Sequence, residues 1–378
     1  MTEIFVSSDN ILSPIGLTTV ENFLQLKLNV SGIKLHNDES MSEQSFQASI
    51  FDNDNFFSDN NAPANYTKFE KLLIASISNA LANSSINPAD KKAVLIISST
   101  KGNVSLLETE AASQKLNKRI SLHTSAKLVA GHFEFSNQPV IISNACISGI
   151  LAILTGMRLI QSGQYEHAVV AGADVVSKFV LSGFQSFQAI SPLPCKPFDA
   201  ARAGINLGEA AGTVLLTGNK NYSSGIKVMG GSVSNDANHI SGPSRTGQEL
   251  SQAIIKAMQT ADLSANDINF ISAHGTATLF NDEMEANAIT LAGLQAVPIN
   301  SLKGYYGHTL GAAGLIESII SFQSLKENLL IPTRGFQNLG VTQPVNICST
   351  LYSSTLQNCL KTASGFGGCN AAMVFSKQ

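Results

Sequence analysis

Apolar positions along the chain follow two periods. Short apolar runs bounded by Gly, Asn, Asp or Ser read as strands, and stretches whose apolar residues return every third or fourth position read as amphipathic helices. Glu3–Ser8 alternates as a first strand, and Ser13-Pro-Ile-Gly16 turns into a helix predicted over Thr19–Leu28. From His36 to Asn65 the pattern dissolves into Asn, Asp and Ser with Phe46, Phe51, Phe56 and Phe57 interspersed, which predicts a long surface loop with aromatic anchors. Phe69, Leu73, Ile77 and Leu81 then recur every fourth residue and predict a helix over Tyr66–Ala82. Val94–Ile97 is apolar throughout, as a parallel strand covered on both faces would be.

Val140-Ile-Ile-Ser-Asn-Ala-Cys146 reads as strand and sharp turn, and no charge follows until Arg158. A helix apolar all round is a buried one, with Cys146 in its first turn. Strands follow at His167–Ala171 and Gly208–Leu216, then a polar break at Asn219–Gly225. Beyond it the plan repeats: helix Glu249–Ala261, strand Asp267–Ala273, helix Asn281–Ala292, strand Val297–Ser301, and a second small-residue helix opened by His308. The two halves also end alike, in Glu209–Thr217 and Cys369–Ser376. The reading is α/β, a duplicated unit with halves at 1–218 and 225–378. Two small-residue helices packed together would turn Cys146 and His308 toward one cavity.

Composition narrows the function classes. Only 13% of the 378 residues are charged and the net charge is −3, so there is no basic footprint for nucleic acid. Five cysteines without a C-x-x-C pair argue against a disulfide framework or structural zinc and point to a reducing, cytoplasmic setting. The first residues lack the basic segment and apolar core of a signal peptide, and no apolar run approaches membrane-spanning length.

Three residues carry candidate chemistry. A helix's first turn favours a thiolate, yet Cys146 taken alone is better read as a small buried hydrophobe. His274, in Ser-Ala-His-Gly-Thr-Ala-Thr278, and His308, in Lys-Gly-Tyr-Tyr-Gly-His308, each stand where a strand gives way to a helix, the place where α/β proteins bind ligands. Each alone could equally be a framework histidine. None of the three has the short paired spacing of zinc ligands, so no metal is expected. Gly365-Phe-Gly-Gly368 lacks a P-loop lysine, and its glycines would instead let a backbone N–H approach a ligand.

Jointly, Ser13-Pro-Ile-Gly16, Val129-Ala-Gly-His132, Ala145-Cys146, Pro197-Phe-Asp199, Gly208-Glu-Ala-Ala-Gly212, His274-Gly-Thr276, Lys303, Gly307-His308 and Gly365-Phe-Gly-Gly368 resemble the 3-oxoacyl-acyl-carrier-protein synthases, condensing enzymes of the thiolase fold. The resemblance implies layered αβαβα halves with buried central helices. It implies an acyltransferase in which Cys146 accepts an acyl group from a phosphopantetheine thioester, with an oxyanion hole from the N–H groups of Cys146 and Phe366. His274 and His308 would hold the malonyl thioester during decarboxylation, giving 3-oxoacyl carrier protein in fatty-acid, polyene or polyketide-like lipid synthesis. Lys303 and Glu317 would organise the site.

By the same likeness Thr276 and Thr278 would bind the pantetheine arm or merely form a turn. Phe184 and Leu107 would line the acyl tunnel or serve as core, and Asp282 and Glu285 would order the histidine loop or favour a helix start. No permanent cofactor is implied. The partners implied are the acyl carrier protein, met by Lys68, Lys71 and Arg202, and a second subunit, identical or homologous. The competing class is a silent chain-length-factor-like partner subunit, which typically lacks the cysteine. Two departures, Gly304 for serine and Thr362-Ala363-Ser364 for Asn-Ser-Phe, are expected to enlarge or loosen the surroundings of the site.

Overall fold

Among the described residues, ten strands of one sheet carry the fold: β1 (Ile4–Leu12), β2 (Ala93–Ser98), β3 (Val140–Ile142), β4 (His167–Asp174), β5 (Ala210–Thr217), β6 (Ile226–Asn235), β7 (Phe270–Ser272), β8 (Ile299–Asn300), β9 (Asn358–Gly365) and β10 (Cys369–Lys377). Their spatial order is β8-β7-β9-β10-β6-β1-β5-β4-β2-β3. Each half therefore runs third, second, fourth, fifth, first, and the halves meet where β1 pairs antiparallel with β6. Strand senses repeat as well, since β2 lies parallel to β3 and β4, as β7 does to β8 and β9. The computed structural model describes residues 2–53, 56–57 and 66–378.

Helices flanking the sheet and the cavity include α1 (Lys68–Ala82), α2 (Leu122–His132), α3 (Ser148–Gln161), α4 (Lys178–Ser186), α5 (Gln248–Thr260), α6 (Leu279–Leu291) and α7 (Ala313–Glu327). α1 and α2 cover the outer face of the amino-terminal half, and α5 and α6 that of the other; α3 and α7 lie between the halves and touch both. This is the αβαβα layering that the family resemblance implies. The central helices can meet because they present glycines: a Cβ on Gly149 would come within 2.5 Å of the Leu315 nitrogen, and one on Gly314 within 2.7 Å of the Ile150 side chain. Around that contact Ile153, Leu154, Leu315 and Ile319 form the central core.

Two expectations change. The segment beginning at His36 is no simple loop: Phe46–Ser49 pairs with Lys34–His36 and with Leu207–Gly208. Phe46 is buried with Leu207 and Leu310 in a small core beside α4, while Phe51, Phe56 and Phe57 pack at the edge of the core under α1. Residues 54–55 and 58–65 of that expected loop lie outside the described residues. Cys146 also precedes its helix, which starts at Ser148. The turn is made by Ala145 in the left-handed region at φ 43°, a conformation costly for a residue with a side chain and concentrated at functional sites.

Candidate active site

Strand ends deliver the reactive groups to one cavity of about 580 Å³, lined among others by Cys146, His274, His308, Thr276, Phe184 and Phe366. Cys146 comes from the β3–α3 turn, His274 from the end of β7, and His308 from the segment between β8 and α7. His308 Nε2 lies 3.1 Å from Cys146 Sγ, and the two imidazole rings stand edge to face with centroids 5.2 Å apart. One ligand-capable atom from each of the three residues falls within 4.8 Å of the other two.

Lys303 is almost fully buried, with Nζ 2.8 Å from Glu317 Oε1, 2.6 Å from the His274 carbonyl and 3.2 Å from His274 Nδ1. An ammonium can only donate, so Nδ1 must accept and the ring proton sits on Nε2. Burial, reinforced by Lys303, His308 and Lys361, holds the His274 pKa well below the usual histidine value. Burial and then Lys303 do the same to His308. Both rings are neutral, and His274 presents Nε2–H as a donor. Lys303's positive charge also disfavours a cation among these three side chains.

The thiol departs from expectation. Burial pushes the Cys146 pKa up to about 12, with Lys303 opposing. Desolvation outweighs the favourable helix end, so the resting group is a thiol beside an imidazole nitrogen. The glycine-rich hairpin closes on it: a Cβ on Gly365 would stand 2.8 Å from the Cys146 backbone nitrogen, a contact only glycine allows. Phe366 is 39% exposed and stacks on Phe184, centroids 5.6 Å apart.

The surrounding carboxylates hold backbone. Glu285 accepts from the N–H groups of His274 and Gly275 at 2.8 and 2.7 Å, and Asp282 from those of Thr276 and Phe198 at 2.8 and 2.7 Å. Burial raises the Asp282 pKa to about 6. The Thr276 and Thr278 hydroxyls are 2.8 Å apart on the cavity wall.

The beta-ketoacyl synthase N-terminal domain pattern matches residues 24–221, and the beta-ketoacyl synthase C-terminal domain pattern matches residues 226–337. The chain belongs to the beta-ketoacyl synthase family. Among its relatives, the 3-oxoacyl-[acyl-carrier-protein] synthase 2 of Vibrio cholerae is 28% identical over 99% of both chains. The enzyme of the same name from Rhizobium meliloti is 32% identical over 62% of this chain and 60% of its own. Among solved structures, the ishigamide ketosynthase/chain length factor superposes with a TM-score of 0.92 at 23% identity, covering 100% of this chain and 99% of the other. The ketosynthase ApeO in complex with its chain length factor ApeC, from Xenorhabdus doucetiae, gives 0.85 at 26% identity, covering 100% and 98%.

In this beta-ketoacyl synthase several expected contacts fall elsewhere. Leu107 is half exposed and is not part of the cavity wall. Arg202 is buried and donates to the carbonyls of Asp199 and Gly340, and the Lys68 ammonium pairs with buried Glu209 at 2.6 Å, so neither is a free surface cation. Gly304 does not loosen the site: a Cβ there would meet the Arg334 carbonyl at 2.8 Å. Thr362 is likewise fixed, donating to Glu285 at 2.6 Å, and Ser364, on the cavity wall, donates to Asn370 at 2.7 Å.

Lys361 escaped the sequence reading. Its trace in the sequence is a lone charge inside the small and apolar run Cys359-Leu-Lys-Thr-Ala363. Asp174, which ends β4 and accepts the Gly311 N–H at 2.7 Å just beyond His308, had the same kind of trace.

Proposed function

We propose that this synthase joins an acyl group held on Cys146 to a malonyl group held on acyl carrier protein, releasing carbon dioxide and 3-oxoacyl carrier protein. The observation that carries the reading is the convergence of one thiol and two buried, neutral imidazoles on a single cavity. Cys146 Sγ attacks the acyl thioester carbonyl. The Cys146 and Phe366 N–H groups serve the developing oxyanion, and the departing pantetheine sulfur takes up, through solvent, the proton that the thiol releases. No permanent cofactor is involved, because the acyl groups arrive on phosphopantetheine.

In the second half-reaction the bond from malonyl carbon to carboxylate breaks and its electron pair passes into an enolate. The enolate oxygen receives hydrogen bonds from His274 Nε2–H and His308. The carbon then attacks the acyl-cysteine, and the Cys146 thiolate leaves and regains a proton from solvent. The Thr276 and Thr278 hydroxyls line the approach of the pantetheine arm, and Phe184 the start of the acyl path. Lys303 and Glu317 hold the His274 tautomer, while Asp282 and Glu285 hold its loop. Residues 1–218 thus supply the nucleophile and 225–378 the decarboxylation groups.

We further infer a dimer with an identical or homologous chain. Among the described residues β3 has a strand neighbour on one side only, and Val140, Ile141 and Ile142 are half-buried there, an apolar edge that invites another strand. No described helix is long and apolar enough to cross a membrane, and the free cysteines suit work in the cytoplasm. The retained thiol and both histidines favour the enzyme over a silent partner subunit.

The test is reconstitution with acyl and malonyl carrier protein. The wild-type chain is expected to yield a 3-oxoacyl product. His308→Ala should lose malonyl decarboxylation by about a hundredfold or more, the scale of one lost oxyanion donor, and lose less acyl transfer. Equal loss of both half-reactions would contradict the division of roles.

A further inference from the structure

A second buried lysine enters the same network from the neighbouring strand. Lys361, in β9, is fully buried; its Nζ lies 2.8 Å from Glu317 Oε2 and donates to the carbonyls of Ser272 at 3.0 Å, Ala273 at 3.3 Å and Thr362 at 2.7 Å. Lys303 pairs with the other oxygen of Glu317 and donates to the carbonyl of His274. The three successive carbonyls of residues 272–274 therefore each meet an ammonium, and one carboxylate ties the two ammoniums together. On the opposite side of the peptide chain, Glu285 takes the N–H groups of His274 and Gly275 together with the hydroxyl of Thr362. Adjacent residues 361 and 362 thus brace both sides of the histidine's backbone.

Burying an ammonium costs solvation that hydrophobic packing of the same volume would not. Here the surrounding strand is otherwise Leu360, Thr362 and Ala363, so fold stability alone gives no reason for a lysine. We propose that Lys361 is a positioning residue for the decarboxylation half-reaction, bracing the strand end that carries His274 and completing the charge balance around Glu317.

The inference rests on the condensing role assigned to His274. The charged and titratable groups facing that ring or its backbone are Lys303, Lys361, Glu317, Glu285, His308 and Cys146. The lysines and glutamates form two cations against two carboxylates. Removing Lys361 leaves one carboxylate in excess, which favours the imidazolium form of His274 and withdraws donors from two carbonyls of its strand.

The test is Lys361→Met, with both half-reactions followed between pH 5 and 9. Acyl transfer to Cys146 is expected to stay within about twofold of wild type, while malonyl decarboxylation falls about tenfold to a hundredfold, as small misplacements of reacting groups do. The acid limb of decarboxylation should also move to higher pH. Parallel loss of both half-reactions, or an unmoved acid limb, would overturn the proposal. If the variant does not fold, histidine and lysine 15N resonances of the unmodified enzyme decide: His274 should be the neutral Nε2–H tautomer down to pH 5, with Lys361 an ammonium at pH 7. A His274 titrating near 6.5 or a neutral Lys361 would overturn it. Failure of wild type to acylate Cys146 would instead strike the condensing reading itself.

Discussion

At the scale of the residue, desolvation decides which protons are present. Cys146 keeps its proton and both active-site histidines lack theirs, all for the same reason of burial. The histidines have a stability consequence. Below pH 6.5 the unfolded chain binds protons that folded His274 and His308 refuse, so their contribution is fully present above 6.5 and is lost as pH falls below it. Asp282 acts oppositely: with its pKa raised to about 6, the folded state holds a proton between about pH 4 and 6 that the unfolded state releases, and stability falls as pH rises through that window. Urea unfolding should therefore show wild type losing more stability from pH 6.5 to 5 than a His274→Asn/His308→Asn variant. Equal losses would show that the rings are solvated. The residue types of the site were legible because Cys, His and Gly at strand-to-helix turns are distinctive. The thiol's protonation was not, since it depends on how much of the molecule surrounds the turn.

At the scale of the element, small residues set how closely backbones approach. Gly149 and Gly314 let α3 and α7 touch, and the runs of small and apolar residues announced that contact. Phe46–Ser49 was hidden because one of its partners, Leu207–Gly208, lies far away in sequence, and Lys34–His36 because it pairs only with Phe46–Ser49. Lys361 was hidden for a similar reason: its partners come from β7 and α7. The edge strand β3 makes the prediction at this scale. Light scattering should give twice the mass of one chain, and Ile141→Lys should shift the mass toward one chain by placing a charge on the pairing edge. A monomeric wild type, or a dimer indifferent to the substitution, would remove β3 from the interface.

At the scale of the whole molecule, duplication creates the site. The same strand order occurs in both halves, and the repeat places the turn before α3 opposite the turns that carry His274 and His308. Neither half holds the full set: the thiol comes from one and both imidazoles from the other. The repeated endings at Thr217 and Ser376 made this plan legible, but the sequence pattern could not register β1 against β6, the seam that makes one sheet of two. The central claim is that Cys146 carries the acyl group between the half-reactions. Intact mass of the protein after exposure to acyl carrier protein should show one added acyl group, absent in Cys146→Ala; no added mass in wild type, or the same gain in the variant, would contradict it.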